Sequence, residues 1–340
     1  MLEDKTILIT GVAGFIGNGI AKKLLGNGNK VLGVDNLNNY YDVKLKKERL
    51  SSIDKCPNKK NFEFCKCNIE NYQELMDIFA DFKPDIVINL AALAGVRSSI
   101  DNPREYISTN IVGFSNILEG CRYFNVKNLI YASSSSIYGG SKNFPSKESS
   151  ISDHPVSLYA ATKKSNELLA HSYSKLYGIP STGLRFFTVY GPFGRPDMAP
   201  MIFANSIVND RPIKIFNHGD MMRDFTYIDD VIEAIFLCCK KPACPADDFN
   251  YFEPDPSRSF APHMIFNVGY GRSVPLMTFI NLLEKELKKD AIKEYLPMQL
   301  GDVKETFSEI KNINSWVGFE PKTDIEEGIK KFATWYKEYY

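Results

Sequence analysis

The sequence predicts an α/β fold: a doubly wound parallel sheet followed by a smaller C-terminal α/β cap. Three observations predict it. Short apolar runs such as Thr6-Ile-Leu-Ile-Thr10 and Asp85-Ile-Val-Ile-Asn-Leu90 alternate with helical patterns through the first half of the chain. A glycine-rich turn, Gly11-Val-Ala-Gly14-Phe-Ile-Gly17, joins the first strand to the first helix. Beyond Met198 the segments shorten and are punctuated by proline and glycine, as expected of a second, smaller unit.

Composition narrows the function classes. A chain of 340 residues holds one large core or two domains. Apolar content of 44% and charged content of 24% are those of a soluble globular protein. With 41 basic and 41 acidic residues the net charge is zero, which disfavours nucleic acid and anionic membrane surfaces. No apolar run approaches a membrane span of ~18 residues, and the N-terminus lacks the pattern of a secretory signal. The seven cysteines have neither zinc-site nor redox spacing, so free thiols in a reducing cytoplasm are expected. With four scattered histidines, no metal site is expected.

Taken in order, Thr6–Thr10 and Lys30–Val34 read as strands around a helix that includes Ile20–Leu25, with Asp35 closing the second strand. This is the βαβ pattern of a dinucleotide site. Small residues admit the pyrophosphate, the helix N-terminus offers free N–H groups, and Asp35 can accept from both ribose hydroxyls. A carboxylate there repels a 2′-phosphate, so NAD is expected over NADP. The spacing is GxxGxxG rather than GxGxxG, and three glycines alone could be an ordinary turn. Further strands are Phe62–Cys65, Asp85–Leu90 and Asn128–Ala132, the last running into Ser133-Ser134-Ser135-Ser136-Ile137-Tyr138-Gly139. Ligands of open α/β sheets bind beyond the carboxyl ends of strands, which places the serine run for chemistry. Residues 105–124 and 156–177 read as helices, Gly183–Phe187 as a strand and 231–239 as an apolar helix. Residues 242–262 hold five prolines and suggest a long surface loop.

Tyr159-Ala-Ala-Thr-Lys163 puts a phenol and an ammonium one helical turn apart on one face. A free phenol, with a pKa of about 10, is a poor base at neutral pH. A nearby cation favours the phenolate and makes Tyr159 a candidate base or acid for a hydroxyl group. The pair alone could be an incidental exposed turn. The dinucleotide turn and the serine run give it a context.

Together these stretches resemble the extended short-chain dehydrogenase/reductase family, with Met221-Met-Arg-Asp-Phe-Thr-Tyr-Ile-Asp-Asp230 as a further match. Within it, Ala94-Gly-Val-Arg97, Arg185-Phe-Phe-Thr-Val-Tyr-Gly-Pro-Phe-Gly-Arg-Pro-Asp-Met198 and Met298-Gln-Leu-Gly-Asp302 look most like UDP-glucuronate 4-epimerases. The resemblance implies bound NAD in a Rossmann domain spanning residues 1–180, its sheet completed near 181–190 and 220–240, with residues 191–340 mainly a UDP-sugar cap. It implies that Tyr159 removes the proton of the sugar 4-hydroxyl while C4 gives its hydride to NAD. Ser134 hydrogen-bonds the same oxygen, and Lys163 holds the nicotinamide ribose. It places the cofactor against Gly11, Gly14, Phe15, Ile16, Gly17, Asp35, Asn36, Asn38, Asn68, Ile69, Leu90, Ala91, Ala92, Ala94, Asn110, Ser133, Tyr159, Lys163, Phe186 and Val189. The sugar nucleotide is expected at Arg97, Ser134, Ser135, Ser136, Thr188, Arg195, Met201, Lys214, Phe216, Arg223, Gln299 and Asp302. The sequence departs from many relatives at Asn68, where an aspartate is common, and at Phe193, where close relatives often have Trp. A homodimer through the helices at 105–124 and 156–177 is also implied.

Rival readings differ in few residues. Related 4,6-dehydratases carry Asp-Glu in place of Ser135-Ser136, and decarboxylating relatives carry Glu at Ser136; this chain has neither carboxylate. A 4-epimerase of UDP-glucose or UDP-N-acetylglucosamine differs mainly in the sugar pocket. A non-catalytic NAD-binding scaffold has no need of Ser134, Tyr159 and Lys163 together.

Overall fold

The computed structural model describes residues 2–299 and 301–340, so Leu300 of the Met298–Asp302 stretch lies outside the described residues. Seven parallel strands form the central sheet. In chain order the first six are β1 Thr6–Thr10, β2 Lys30–Asp35, β3 Phe62–Lys66, β4 Ile86–Asn89, β5 Asn128–Ser134 and β6 Ser181–Phe186. Their spatial order is β6-β5-β4-β1-β2-β3, and His263–Val268 pairs with β6 as the far edge. The order reverses between β1 and β4, and that switch point opens a crevice at the carboxyl ends of the strands.

Side-chain alternation explains why helices cover both faces. Ile7 and Ile9 of β1 pack with Ile20 and Leu24 of the helix Phe15–Gly26 and with Val231 and Ile235 of the helix Ile228–Lys240. Leu8 points the other way, into a cluster with Phe79, Phe114, Ile117 and Ala170. β4 alternates likewise, Ile86 and Ile88 against Val87. Strands buried on both sides read as continuous apolar runs, and this is why they are legible in the sequence. A separate core, with Phe203, Ile207, Phe225, Tyr227, Phe279 and Phe332, holds the cap together.

Three expectations are corrected. The segment 220–240 adds no strand to the sheet: Phe225–Tyr227 pairs with Thr188–Tyr190 in a two-stranded ladder, and residues 228–240 form a helix beneath the sheet. The seventh strand is His263–Val268, and Ile313 and Phe319 also pack in the sheet core, so the later chain returns repeatedly to the larger unit. The helix expected over 105–124 carries a π-helical stretch, Ser108–Gly113, between Pro103–Ile107 and Phe114–Tyr123. Its cause is tertiary: Asn110 turns inward, where its amide accepts from Leu93 N at 2.8 Å and donates to Leu93 O at 2.9 Å and Thr162 Oγ1 at 3.1 Å. That bonding braces the loop after β4 against the helix Leu158–Tyr177, which carries Tyr159.

Candidate active site

The site begins at the turn after β1. Gly11 has φ +72°, and a Cβ there would lie 2.8 Å from Ala91 N, so only glycine lets this turn meet the loop after β4. A Cβ on Gly17 would come within 2.1 Å of Gly11 O. The first helical turn is thus folded onto the glycine loop, and the protein's own packing already demands these glycines. Gly14 caps the helix Phe15–Gly26 without a side-chain bond, which leaves the helix N-terminus available to a diphosphate. Asp35 ends β2 nearly buried, its carboxylate accepting from Ala13 N at 3.1 Å and Leu37 N at 2.8 Å. A close-packed turn, an uncapped helix end and a carboxylate after β2 fit NAD.

Across the crevice, Ser157 caps the helix Leu158–Tyr177 by accepting from Ala160 N at 3.1 Å, which sets Tyr159 in the first turn. Tyr159 is half-buried and lies edge-on to Tyr106, ring centroids 6.3 Å apart. Lys163 is 2% exposed, donates to Ala132 O at 2.9 Å, and stands 6.0 Å from the centre of the Tyr159 ring. Ser134 ends β5, accepting from Ser136 N at 3.2 Å and donating to Ser136 Oγ at 3.1 Å.

The electrostatics differ from the expectation. Burial raises the Tyr159 pKa; the Ser134 hydroxyl and the Arg195 guanidinium pull it back down in part. Arg195 thus acts on the phenol as a cation from a distant loop, in addition to Lys163 on the phenol's own helix. Burial depresses Lys163 to about 8. A lysine depressed in the folded state binds fewer protons there than when unfolded. It therefore costs stability below about pH 8, and that cost is relieved as pH rises toward the ordinary lysine value of 10.5. Lys163→Met is accordingly expected to raise the thermal midpoint at pH 7 and to abolish turnover, with the stability gain vanishing in alkaline buffer.

Arg195 donates to Ala94 O at 2.8 Å, and its guanidinium meets the Asp197 carboxylate at 3.1 and 2.5 Å. It also faces Tyr40, 5.8 Å from that ring, and Asp197 raises its pKa. Thr188 is half-buried on its short strand, and Ser135 and Ser136 occupy a tight turn after Ser134. Tyr159, Ser134 and Arg195 converge on one place, with the neutral Ser136 hydroxyl beside them.

A second cluster joins the helix Val96–Asp101 to the cap. Arg97 pairs with Asp302 at 3.2 Å and stacks over Phe216 at 5.0 Å. Arg223 donates to Met222 O at 2.8 Å and Lys304 O at 3.0 Å; burial lowers its pKa, opposed by Asp302. Gln299 has a buried Oε1 without a hydrogen-bond partner. Two arginines, an aromatic ring and a carboxylate are suited to a nucleoside diphosphate.

Other expected contacts sit differently. Ser133 Oγ is buried and donates to Glu167 at 2.6 Å, so its hydroxyl is already engaged. Asn38 accepts from Lys46 Nζ at 2.6 and 2.8 Å, Asn36 accepts from Asn38 N at 3.0 Å, and Asn68 accepts from Glu70 N at 3.4 Å. Ile69, Phe186 and Met201 belong to the apolar cores, and Phe15 to the cap core. Ile16, Leu90 and Val189 pack partly buried against the sheet core and Ala91 against its other face, while Ala92 is half-buried in the loop after β4. Lys214 is exposed; its strand, Ile213–Ile215, runs parallel to Lys293–Tyr295. Sequence reasoning passed over Arg49, Tyr40, Asp197 and Glu167. Only Glu167 carried a signal, standing one turn beyond Lys163 on the same helix face. Among the described residues no group of three or more His, Cys, Asp or Glu side chains could hold a metal, and no helix is long and apolar enough to cross a membrane.

The model of the NAD dependent epimerase/dehydratase family matches residues 7–250. Protein CapI of Staphylococcus aureus is 55% identical over 334 residues, 98% of this chain and 99% of that one. A probable UDP-glucuronate 4-epimerase of Rhizobium meliloti (strain 1021) is 43% identical, covering 98% of this chain and 97% of its own. The crystal structure of UDP-glucuronic acid 4-epimerase from Bacillus cereus, in complex with UDP-glucuronic acid and NAD, superposes with a TM-score of 0.87 at 31% identity, covering 98% of this chain and all of that one. This chain belongs to the NAD-dependent epimerase/dehydratase family.

Proposed function

We propose that the protein is a UDP-glucuronate 4-epimerase, interconverting UDP-glucuronate and UDP-galacturonate through a transient 4-keto sugar. The observation that carries the reading is the meeting of Tyr159, Ser134 and Arg195 beside neutral hydroxyls, in a chain that also builds a dinucleotide turn. NAD, when bound, supplies the acceptor and donor of the C4 hydride. Tyr159 takes the 4-hydroxyl proton and later returns it; Ser134 holds the same oxygen. Lys163, fixed on Ala132 O, holds the cofactor ribose beside the phenol. The Arg97–Phe216–Arg223–Asp302 cluster anchors UDP, leaving the sugar free to turn and present its other face.

A uronate raises a chemical hazard. The 4-keto intermediate is a β-keto acid: loss of CO2 leaves the electron pair of the C5–C6 bond in an enolate at C4–C5, which takes a proton to give a 4-keto pentose. Holding the carboxylate in the plane of the ring carbonyl prevents that overlap. Ser135, Ser136 and Thr188 offer neutral hydrogen bonds for this, and Arg195 a charge. Thr188→Val or Arg195→Lys is expected to raise the ratio of pentose to epimer, or to slow uronates alone, as read by product chromatography; unchanged uronate kinetics in both would contradict this role.

The helices Phe114–Tyr123 and Leu158–Tyr177 pack side by side and leave Tyr123, Leu168, Leu176 and Tyr177 exposed. A paired apolar face of this kind supports a homodimer. The substrate reading is tested by kcat/KM for UDP-glucuronate, UDP-glucose and UDP-N-acetylglucosamine. A preference for the uronate of about tenfold or more, worth some 1.4 kcal/mol, is expected. A comparable preference for either neutral sugar would keep the chemistry and overturn the substrate.

A further inference from the structure

Arg49 is fully buried on the helix Val43–Ser51, where no sequence pattern marks it as part of the site. It appears in no ion pair among the described residues, and its guanidinium is instead surrounded by oxygens of other elements. Nη1 donates to Ala13 O at 3.1 Å and to the Tyr41 hydroxyl at 2.5 Å. Nε and Nη2 donate to Phe193 O at 3.1 and 2.7 Å, and Nη2 also reaches Gly194 O at 3.2 Å. A buried cation bound to neutral carbonyls is costly, and a fold keeps one only when its hydrogen bonds are all made.

The elements it joins give it a role. Ala13 lies in the glycine turn, its N–H already held by Asp35. Phe193 and Gly194 form the cap loop that leads directly into Arg195. That loop is strained: Phe193 has φ +60°, a left-handed conformation unfavourable for a non-glycine residue. Gly194 N closes the turn on Gly191 O at 3.1 Å, and the Phe193 ring packs on Trp335 at 5.0 Å. The guanidinium fork thus fixes two consecutive carbonyls immediately before Arg195, a cation that acts on the reacting phenol.

We propose that Arg49 is a positioning residue for the reaction: it ties the cofactor turn to the loop carrying Arg195 and so sets where that cation stands relative to Tyr159. The inference rests on the proposed reading of Tyr159 as the acid and base. Lysine cannot replace Arg49, since one ammonium has no planar fork to span Ala13, Phe193 and Gly194 together. The groups facing the Tyr159 phenol and ring are Ser134, Lys163, Tyr106 and Arg195, the last with Asp197 and Tyr40 beside it. Displacing Arg195 removes an attraction for the phenolate, so the phenol should titrate at higher pH.

The test uses the full-length holoprotein and Arg49→Lys and Arg49→Met. The Tyr159 phenol is titrated by its ultraviolet phenolate absorbance, as the difference between each protein and the same protein carrying Tyr159→Phe; kcat is followed against pH in parallel. The expected result is an alkaline shift of the phenol midpoint and of the acid limb of kcat, with bound NAD per chain unchanged. Turnover should fall by roughly 10- to 100-fold, the scale of a misplacement near 1 Å at a reacting centre. Arg195→Met should give the same direction of shift, and Arg49→Lys combined with it should add nothing further. A folded Arg49→Lys protein with the wild-type midpoint and wild-type kcat, or shifts that add fully in the double variant, would overturn the proposal. If neither Arg49 variant folds, Tyr41→Phe strips one acceptor from the guanidinium: a shift in the same direction supports the proposal, and none overturns it. Because the absorbance titration needs no turnover, its failure is distinct from failure of the proposed reaction.

Discussion

Tyr159→Phe is expected to lose turnover by about 10²- to 10⁴-fold, the usual worth of a positioned proton-transfer group, while NAD stays bound. The substitution removes one hydroxyl and keeps the ring, so the edge-on contact with Tyr106 survives. Neither the glycine turn nor Asp35 touches that hydroxyl, which is why cofactor content should not change. The measurements are the initial rate on the sugar nucleotide and the NAD released on denaturing the purified protein. Equal losses of NAD and turnover would mean that the phenol acts by holding the cofactor. No loss of turnover would take the proton transfer away from Tyr159, and a scaffold without chemistry would show no difference at all.

The second large effect is expected behind the site. Glu167 accepts from Ser133 Oγ at 2.6 Å and from Arg185 through both carboxylate oxygens at 2.9 Å, all of it buried. Arg185 also donates to the Tyr138 hydroxyl at 2.9 Å, which donates in turn to Asn267 at 2.6 Å. The pair joins the helix of Tyr159 and Lys163 to β5, which ends at Ser134, and to β6, which leads to Thr188. Arg185→Met strips the buried Glu167 carboxylate of its two-pronged partner and leaves it Lys164 at 3.9 Å; breaking a buried pair costs about 3–5 kcal/mol. Urea unfolding should show that loss. Adding Glu167→Leu should restore a large part of the stability, since the poorly compensated buried charge is gone, yet not the turnover, because helix and strand lose their shared anchor. Equal stability of Arg185→Met and wild type would contradict the assignment of this pair as the joint.

Much of this was legible in the sequence because the sheet is buried on both faces. Apolar runs with glycine at the first turn could form little else, and Ser134, Tyr159 and Lys163 come together as the spacing of their elements implies. The missing parts share one cause: they depend on tertiary burial. His263–Val268 is an edge strand that follows a proline-rich loop, so nothing local marks it as the seventh strand. The π-helical stretch at Ser108–Gly113 arises from the inward turn of Asn110, to which a helical pattern is blind. Arg49 sits in the charged run Lys44-Leu-Lys-Lys-Glu-Arg49, which reads as a solvated face, but it is fully buried. The sign of the electrostatics at Tyr159 was missed for the same reason. Spacing places Lys163 one turn away, but burial raises the phenol's pKa and depresses that lysine, and a second cation, Arg195, arrives from a distant loop.

The central claim is that this chain, carrying its own NAD, inverts C4 of a UDP-uronate. The most direct measurement incubates the purified protein with UDP-glucuronate, adding no cofactor, and resolves the products by chromatography and proton NMR. The account predicts UDP-galacturonate, approaching the same ratio when the reaction is started from either sugar, with little pentose. No conversion of UDP-glucuronate, even with NAD supplied, would contradict it.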